Sequence, residues 1–367
     1  MLGHVLPPEK DIHYKNIIYH MVKINKLNRN KNLFENIKQI INDSKSKIYT
    51  TINTTIINAY WNIGKMIVEE EQKGKKRADY GKYLIKELSI KLTEEFGKGF
   101  SEDNLERMRK FYLIYPISAS LMRKLSWAHY LRLISIKNPN TRNFYEIECS
   151  KERWSTRELD RQIGSMLYER LCLSRDKNKV LELSKKGQII NEPKDIIKEY
   201  YVLEFLGLKE DNRYLEKDLE NKIINNIKYF LMEFGKGYAF ISRQKRITIG
   251  SESYYIDLVF YNIILKCFVI VDLKTNKLTP QDIGQMDFYV RYFEKEVRTK
   301  KDNPTIGIIL CAEKDKTMIK YTLLPGNEQL FASKYKIYLP TEEELRKEIE
   351  NTKHQLLMDG YKITHED

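Results

Sequence analysis

The sequence predicts an α/β domain, a mixed sheet flanked by helices, preceded by a mainly α-helical domain. Three observations carry this. Apolar residues recur at helical spacing from about Leu33 to Tyr115, strand-like runs begin near Tyr238, and a polar stretch holding Gly187 and Pro193 lies between them. A length of 367 residues suits two domains at the usual ~100–200 residues each. With 42% hydrophobic and 31% charged residues, the chain can bury real cores and is not of disordered composition.

Residues 1–30 mix Pro7–Pro8, Lys and His without the apolar run of a signal peptide, and read as a poorly ordered leader. Residues 31–175 form the helical domain. Ile37, Ile40, Ile41 and Ile48 open its pattern, and Ile56, Ile57, Tyr60 and Ile63 continue it. The run Lys73-Gly74-Lys75-Lys76-Arg77 reads as an exposed loop before a second helix from near Gly81 to Phe96. After the turn Gly97–Phe100, Ser101 is placed to cap a helix through Met108 and Tyr112. Ser155-Thr156-Arg157-Glu158 is a capping box that starts a helix through Leu159, Ile163 and Leu167.

Residues 176–200 read as a linker, 201–345 as the α/β domain and 346–367 as a C-terminal tail. In the α/β domain a helix from about Tyr214 to Phe234 ends at Gly235. Strands are expected over Tyr238–Thr248, Tyr254–Tyr261 and Lys266–Leu273, then a helix over Pro280–Phe293, then strands over Thr305–Cys311 and Tyr335–Leu339. The two strands around residue 264 are close enough for a hairpin, whereas the later ones need a crossover, which makes the sheet mixed.

The formal net charge of +13 makes a polyanion a natural partner, although a Lys- and Asn-rich composition from an AT-rich genome gives the same excess without function. Cys149, Cys172, Cys267 and Cys311 stand far apart without a CxxC pair. That spacing argues against a zinc ribbon or a disulfide framework and points to the reduced thiols of a cytoplasmic protein. No apolar run approaches the ~18 residues of a membrane span, so no membrane partner is expected.

Asp257 lies inside the apolar run YYIDLVFY, and Asp272 and Lys274 lie in CFVIVDLK. A carboxylate in such a run is costly to desolvate unless it binds a metal, pairs with a cation or sits at a sheet edge. Side chains alternate along a strand, so Asp272 and Lys274 share a face. A regular hairpin with its turn centred between Ile264 and Leu265 places Asp257 opposite Asp272, and both carboxylates and the ammonium then converge. Two carboxylates suit a hard cation such as Mg²⁺, which polarises a phosphate and acidifies water, and Lys274 is placed to orient that water. The alternative is an ion pair at the edge of the sheet.

The stretch from Tyr201 to Pro340 resembles the nuclease domain of the YhcG-type bacterial proteins, a branch of the PD-(D/E)XK superfamily. The matching segments are YVLEFLGL, FLMEFGKGYAFISRQKRI, YYIDLVFYNIILKCFVIVDLK, DIGQMDFYVRYF, NPTIGIILCAEKD and LFASKYKIYLPTEEEL. The helical half resembles the domain that accompanies it, through AYWNIGKMI, GFSEDNLERMRKFY, LSWAHYLRL and ERWSTRELDRQIGSMLYERL. The resemblance implies a PD-(D/E)XK nuclease fold with Asp257 and Asp272 as metal ligands and Lys274 as the catalytic lysine. Asp272 stands where the family more often has Glu. Gln285 and Tyr289, spaced i, i+4, resemble the Q-x-x-x-Y pair that RecB-type members use near the scissile phosphate. Nucleases of this class often add a glutamate from the first helix. Glu216 and Glu220 share a face there, and Glu220 is preferred because it lies one helix length before the first strand; Glu233 is a further candidate. Scaffold roles for this pair and solvated roles for these glutamates stay open.

Arg243, Gln244, Lys245 and Arg246 read as phosphate contacts or as surface charge. Arg107, Arg109 and Lys110, on a short helix after a Gly turn, fit a helix-turn-helix contact with nucleic acid or a solvated helix face. Trp61, Trp127, Trp154 and His129 read as packing residues. The expectation is a Mg²⁺-dependent nuclease, with Mn²⁺ able to substitute, acting on DNA and with homo-oligomerisation left open. An RNase with the same site, and a non-catalytic binding or assembly protein that retains the fold, are the alternatives.

Overall fold

The computed structural model describes residues 8–73, 80–115, 125–173, 177–208, 214–313, 329–341 and 343–344. The chain divides into two compact units, Met1–Ile134 and Ser135–Asp367. The expected tail, residues 346–367, lies outside the described residues.

The first unit is helical: α1 (Pro8–Lys73), α2 (Tyr80–Phe96), α3 (Glu102–Ile114) and α4 (Trp127–Leu133). Helix α1 runs through the segment read as a leader. No Gly or Pro interrupts residues 9–63, so nothing in the backbone stops the helix earlier. Its C-terminal part packs on α3, where Gly64 is required: a Cβ there would meet the Met108 carbonyl oxygen at 2.1 Å. Ile67, Ile85, Leu105 and Met108 form the core of this unit, with Tyr60, Ile63 and Trp127 against it. Trp61 donates its indole N–H to the Tyr115 carbonyl at 2.6 Å. His129 accepts the Ser126 N–H at the start of α4 at 3.1 Å, a capping role.

The second unit opens with α5 (Pro139–Glu152), α6 (Thr156–Gly164), α7 (Leu167–Leu173) and α8 (Lys177–Lys186). The Ser155 capping box forms, with Ser155 N–H donating to Glu158 at 2.7 Å and Glu158 N–H to Ser155 Oγ at 3.3 Å. Residues 177–200, within the stretch read as a linker, carry α8 and bury Leu183, Ile190 and Ile196. Polar composition alone had suggested a spacer. The sheet-bearing unit therefore begins well before that stretch.

The sheet follows: β1 (Tyr200–Val202), α9 (Glu216–Asn225), α10 (Ile227–Phe234), β2 (Tyr238–Ile249), β3 (Glu252–Asn262), β4 (Cys267–Lys277), α11 (Pro280–Tyr292), β5 (Ile306–Glu313) and β6 (Leu330–Lys336). Its order is β1-β6-β5-β4-β3-β2, parallel from β1 to β4 and antiparallel across β4-β3-β2. The mixed α/β sheet flanked by helices is as expected, with three differences. The helix expected over Tyr214–Phe234 is two helices, because Asn226 turns its side-chain amide onto the Lys222 carbonyl at 3.0 Å and ends the first. The last strand lies at Leu330–Lys336 rather than Tyr335–Leu339, its polar Ser333 and Lys334 having masked it in the sequence. β1 is too short to show a period.

One sheet face packs Val269, Val271 and Leu273 against Leu219, Ile223, Phe230 and Phe234 of α9 and α10. The other packs Ile270 and Ile309 against Ile283, Met286, Tyr289 and Val290 of α11. No helix among the described residues is long and apolar enough to cross a membrane. Cys149, Cys267 and Cys311 are buried free thiols and Cys172 is half-buried.

Candidate active site

The β3–β4 hairpin pairs Leu258 with Val271, and so on to Asn262 with Cys267. That is the register of a turn centred between Ile264 and Leu265, so the next position along brings Asp257 beside Asp272. The Leu273 N–H donates to Asp257 Oδ2 at 2.8 Å and fixes that carboxylate against β4. Alternation turns Asp272 and Lys274, like Ile270, towards the face that α11 covers. Lys274 Nζ stands 2.8 Å from Asp272 Oδ2.

Asp272 is 2% exposed. Burial, then the nearby Asp257 charge, pushes its carboxyl up to about 7 against the pull of Lys274. Lys274 is held above its ordinary value: burial lowers it, but Asp272, with Glu216 and Asp257, more than offsets that. The surrounding carboxylates thus favour the protonated ammonium. Two further carboxylates stand 3.9 Å from it, Glu216 on α9 and Asp282 on α11. Asp282 was not singled out in the sequence. Its signal was structural only, the capping box in which the Thr279 N–H donates to it at 2.8 Å.

Glu220 joins the site and Glu233 does not. Glu220 is 4% exposed, its carboxyl pushed up by burial, and its Oε1 has no hydrogen-bond partner. Between Glu220 and Asp257 sits Gln244, whose amide N–H₂ donates to Glu220 Oε2 at 2.7 Å and to Asp257 Oδ1 at 3.0 Å. Gln244 has φ +45°, a left-handed backbone inside a strand. The sequence placed it among phosphate contacts; its dihedral, which no propensity reveals, aims it at the carboxylates instead.

Glu233 is fully buried elsewhere. Arg170 meets it at 2.5 Å and Arg161 at 3.4 Å, and Lys198 donates to its backbone carbonyl. Burial would raise this carboxyl, but Arg170, Lys198 and Arg161 hold it down at about 2. Lys198 is lowered to about 7, chiefly by burial. This cluster joins α6 and α7 to β1 and α10.

Gln285 and Tyr289 bond to each other at 2.7 Å, and the Tyr289 hydroxyl donates to the Tyr255 carbonyl at 2.9 Å. The pair thus anchors β3 two residues before Asp257. Tyr289 is buried and its hydroxyl is held above its ordinary value, first by burial, with the charges of Asp272 and Asp257 adding.

Of the basic candidates, Arg243 is drawn into the site, 3.6 Å from Glu220 and hydrogen-bonded to Asn221. Lys245 and Arg246 are exposed on the edge strand β2, with Arg246 on Ser253 Oγ at 2.9 Å. In the first unit, Arg107 bonds Asn104 and Lys110 is exposed. Arg109 is occupied by Glu71, at 2.7 and 2.9 Å, which leaves less of its charge for a phosphate.

No group of three or more His, Cys, Asp or Glu among the described residues is closed up as a metal cage. Lys274 and the Gln244 amide lie between the carboxylates as they stand. The donor set nonetheless fits a hard cation: oxygen ligands only, with Asp272 and Glu220 buried, held above their ordinary values, and Glu220 Oε1 accepting no hydrogen bond, with only Arg243 near it at 3.6 Å.

Comparison with known proteins agrees with this frame. Residues 194–350 match the YhcG PDDEXK nuclease domain, and residues 36–170 match the DUF1016 N-terminal domain. The chain is 35% identical over 362 residues to the Escherichia coli (strain K12) protein named "Putative nuclease YhcG", spanning 90% of this chain and 96% of that one. Among solved structures, a repair endonuclease from Pyrococcus abyssi matches at 21% identity and EndoMS in its apo form at 16%. Each overlap covers 36% of this chain and about half of the other, with a TM-score of 0.25.

Proposed function

The chain belongs to the YhcG family, whose C-terminal domain is a PDDEXK nuclease domain, and from that premise we propose that it hydrolyses phosphodiester bonds in DNA with Mg²⁺, for which Mn²⁺ can substitute. The observation that carries the reading is the meeting of Asp257, Asp272, Lys274 and Glu220 at one end of the β3–β4 hairpin.

Asp257, Asp272 and Glu220 would hold the cation. When bound, it supplies Lewis acidity: it offsets charge on the scissile phosphate and lowers the pKa of the attacking water. Lys274, kept protonated, donates to a non-bridging phosphate oxygen and stabilises charge as the water oxygen attacks phosphorus, the attacking water releases its proton to solvent, and the P–O bond to the leaving oxygen breaks, that oxygen taking up a proton from solvent. The Leu273 N–H keeps Asp257 in place, and Gln285 and Tyr289 hold β3 through the Tyr255 carbonyl. Lys245 and Arg246 supply backbone contacts that position the strand without reading its sequence.

The test is cleavage of plasmid DNA, branched DNA and RNA with Mg²⁺ or Mn²⁺. Lys274→Ala is expected to keep metal binding, measured by titration calorimetry, yet lose at least ~100-fold in rate without rescue by added metal. Cleavage of RNA alone moves the substrate to the RNase reading. Wild-type protein that binds nucleic acid but cuts nothing with either metal leaves the non-catalytic reading.

A further inference from the structure

Helix α1 is about 100 Å long at 1.5 Å per residue. Between residues 33 and 56 it presents a row of large apolar side chains that the described chain does not cover. Leu33, Phe34, Ile37, Ile40, Ile41, Ile48, Tyr49, Ile52 and Ile56 are between 37% and 72% exposed. At 100° per residue they occupy one half of the helix. The other half carries Glu35, Gln39, Asn42, Asp43, Ser46, Lys47, Asn53 and Thr54. Lys38, Ser44, Lys45, Thr51 and Thr55 share the apolar half; isolated exposed apolar residues need no explanation, but nine large ones gathered on one half of a helix mark an interface.

The order of these residues identifies the occupant. Eight of the nine fall into pairs about the midpoint between Ser44 and Lys45, and the ninth, Phe34, is mirrored by Thr55. Leu33 and Ile56 are equidistant from that midpoint, as are Phe34 and Thr55, Ile37 and Ile52, Ile40 and Tyr49, and Ile41 and Ile48. An antiparallel two-fold pair about this midpoint sets each residue i of one copy against its mirror position j on the other, and j against i, so these apolar positions cover one another. From this symmetry we infer that α1 is a homodimerisation helix, pairing antiparallel with α1 of a second copy about a two-fold axis between Ser44 and Lys45.

Charge selects the same orientation. An antiparallel pair sets Lys45 against Ser44 of the other copy and Lys38 against Thr51. A parallel, in-register pair instead brings Lys45 to the level of Lys45 and Lys38 to the level of Lys38, stacking like charges along the same stretch of the seam. The area is sufficient too. Covering most of the nine exposed side chains removes on the order of 700 Å² per copy, near the roughly 800 Å² per partner of a stable complex. The inference concerns assembly and stands independently of the hydrolytic chemistry.

Sedimentation equilibrium of the full-length protein measures the assembly directly. The wild type is expected to be dimeric at micromolar concentration. Ile41→Glu with Ile48→Glu is expected to raise the dimer dissociation constant by about 100-fold or more while leaving helicity by circular dichroism unchanged. Both positions are exposed within the chain, so folding of the monomer should tolerate the change. Orientation is read by disulfide trapping. Ser44→Cys should link to itself across the axis. Leu33→Cys should link only to Ile56→Cys, since two copies of position 33 lie about 35 Å apart in the antiparallel pair. A wild type that stays monomeric at tens of micromolar overturns the proposal. So does Leu33→Cys linking to itself, or a dimer whose dissociation constant the paired Glu substitutions leave unmoved.

Discussion

Replacing Asp272 by Asn should make the metal-free protein more stable at pH 8 while abolishing its response to Mg²⁺. Asp272 is 2% exposed, beside Asp257, with its carboxyl raised from 3.8 to about 7. The raised value means that the native state holds a proton which the unfolded state releases. Stability from this group is therefore present in full below about pH 4 and is lost as the pH rises through about 7. A shift of about 3 pH units at 1.36 kcal/mol each sets the loss at about 4 kcal/mol, with the Lys274 attraction already inside that balance. Some relaxation around the charge lowers the expected figure to about 2–4 kcal/mol. Asn keeps the volume and cannot ionise, so the variant should escape the loss. The assay is urea unfolding at pH 5 and pH 8, in chelator and with Mg²⁺ added. Wild type in chelator should weaken from pH 5 to pH 8, and Mg²⁺ should restore it at pH 8. Asp272→Asn should be nearly flat with pH and unresponsive to Mg²⁺. A wild type equally stable at both pH values in chelator, or an Asn variant weaker than wild type at pH 8, would refute the reasoning. The buried carboxylate would then be no cost that a cation relieves.

Glu233→Ala should destabilise the protein by roughly 3–5 kcal/mol in urea unfolding, because it leaves the fully buried Arg170 without its carboxylate and removes the counter-charge beside Lys198, while Arg161 keeps Glu204. Glu233 lies in a cluster of its own, so Mg²⁺ binding per folded molecule should not change. In the wild type, acid should erode this contribution as the pH falls from about 4.5 through about 2, the value at which the three cations hold Glu233. Replacing Lys245 and Arg246 together by Ala should weaken binding to all duplex sequences alike and reduce the slope of log K against log salt by up to about 2, as measured by fluorescence anisotropy. An unchanged slope would mean that this edge strand does not meet phosphate.

Much of the candidate site's geometry was legible in the sequence. A carboxylate embedded in FVIVDLK has few cheap explanations, and the two-residue period of a strand settles that Asp272 and Lys274 share a face. The symmetric turn fixed the register that brings Asp257 beside them, because the short loop between β3 and β4 allows few others. The mixed sheet was likewise implied by a close hairpin followed by a helical crossover. Helix ends were legible where side chains close them, as Ser155 and Glu158 do.

Tertiary structure decided what depends on residues distant in sequence. Glu216, Glu220 and Glu233 look alike in sequence as helix glutamates. Only packing sent Glu220 to Gln244 and Asp257, left Glu216 beside Lys274, and enclosed Glu233 among Arg161, Arg170 and Lys198. The same holds for Arg109, whose partner Glu71 lies on another helix. Gln244 reaches the site through a left-handed dihedral that the strand around it imposes and that local propensity disfavours. Periodicity reports which face a side chain takes, since that follows from the local backbone. Which charge it meets on that face is set by long-range packing, and a single buried partner decides whether a carboxylate is a candidate metal ligand or half of an ion pair.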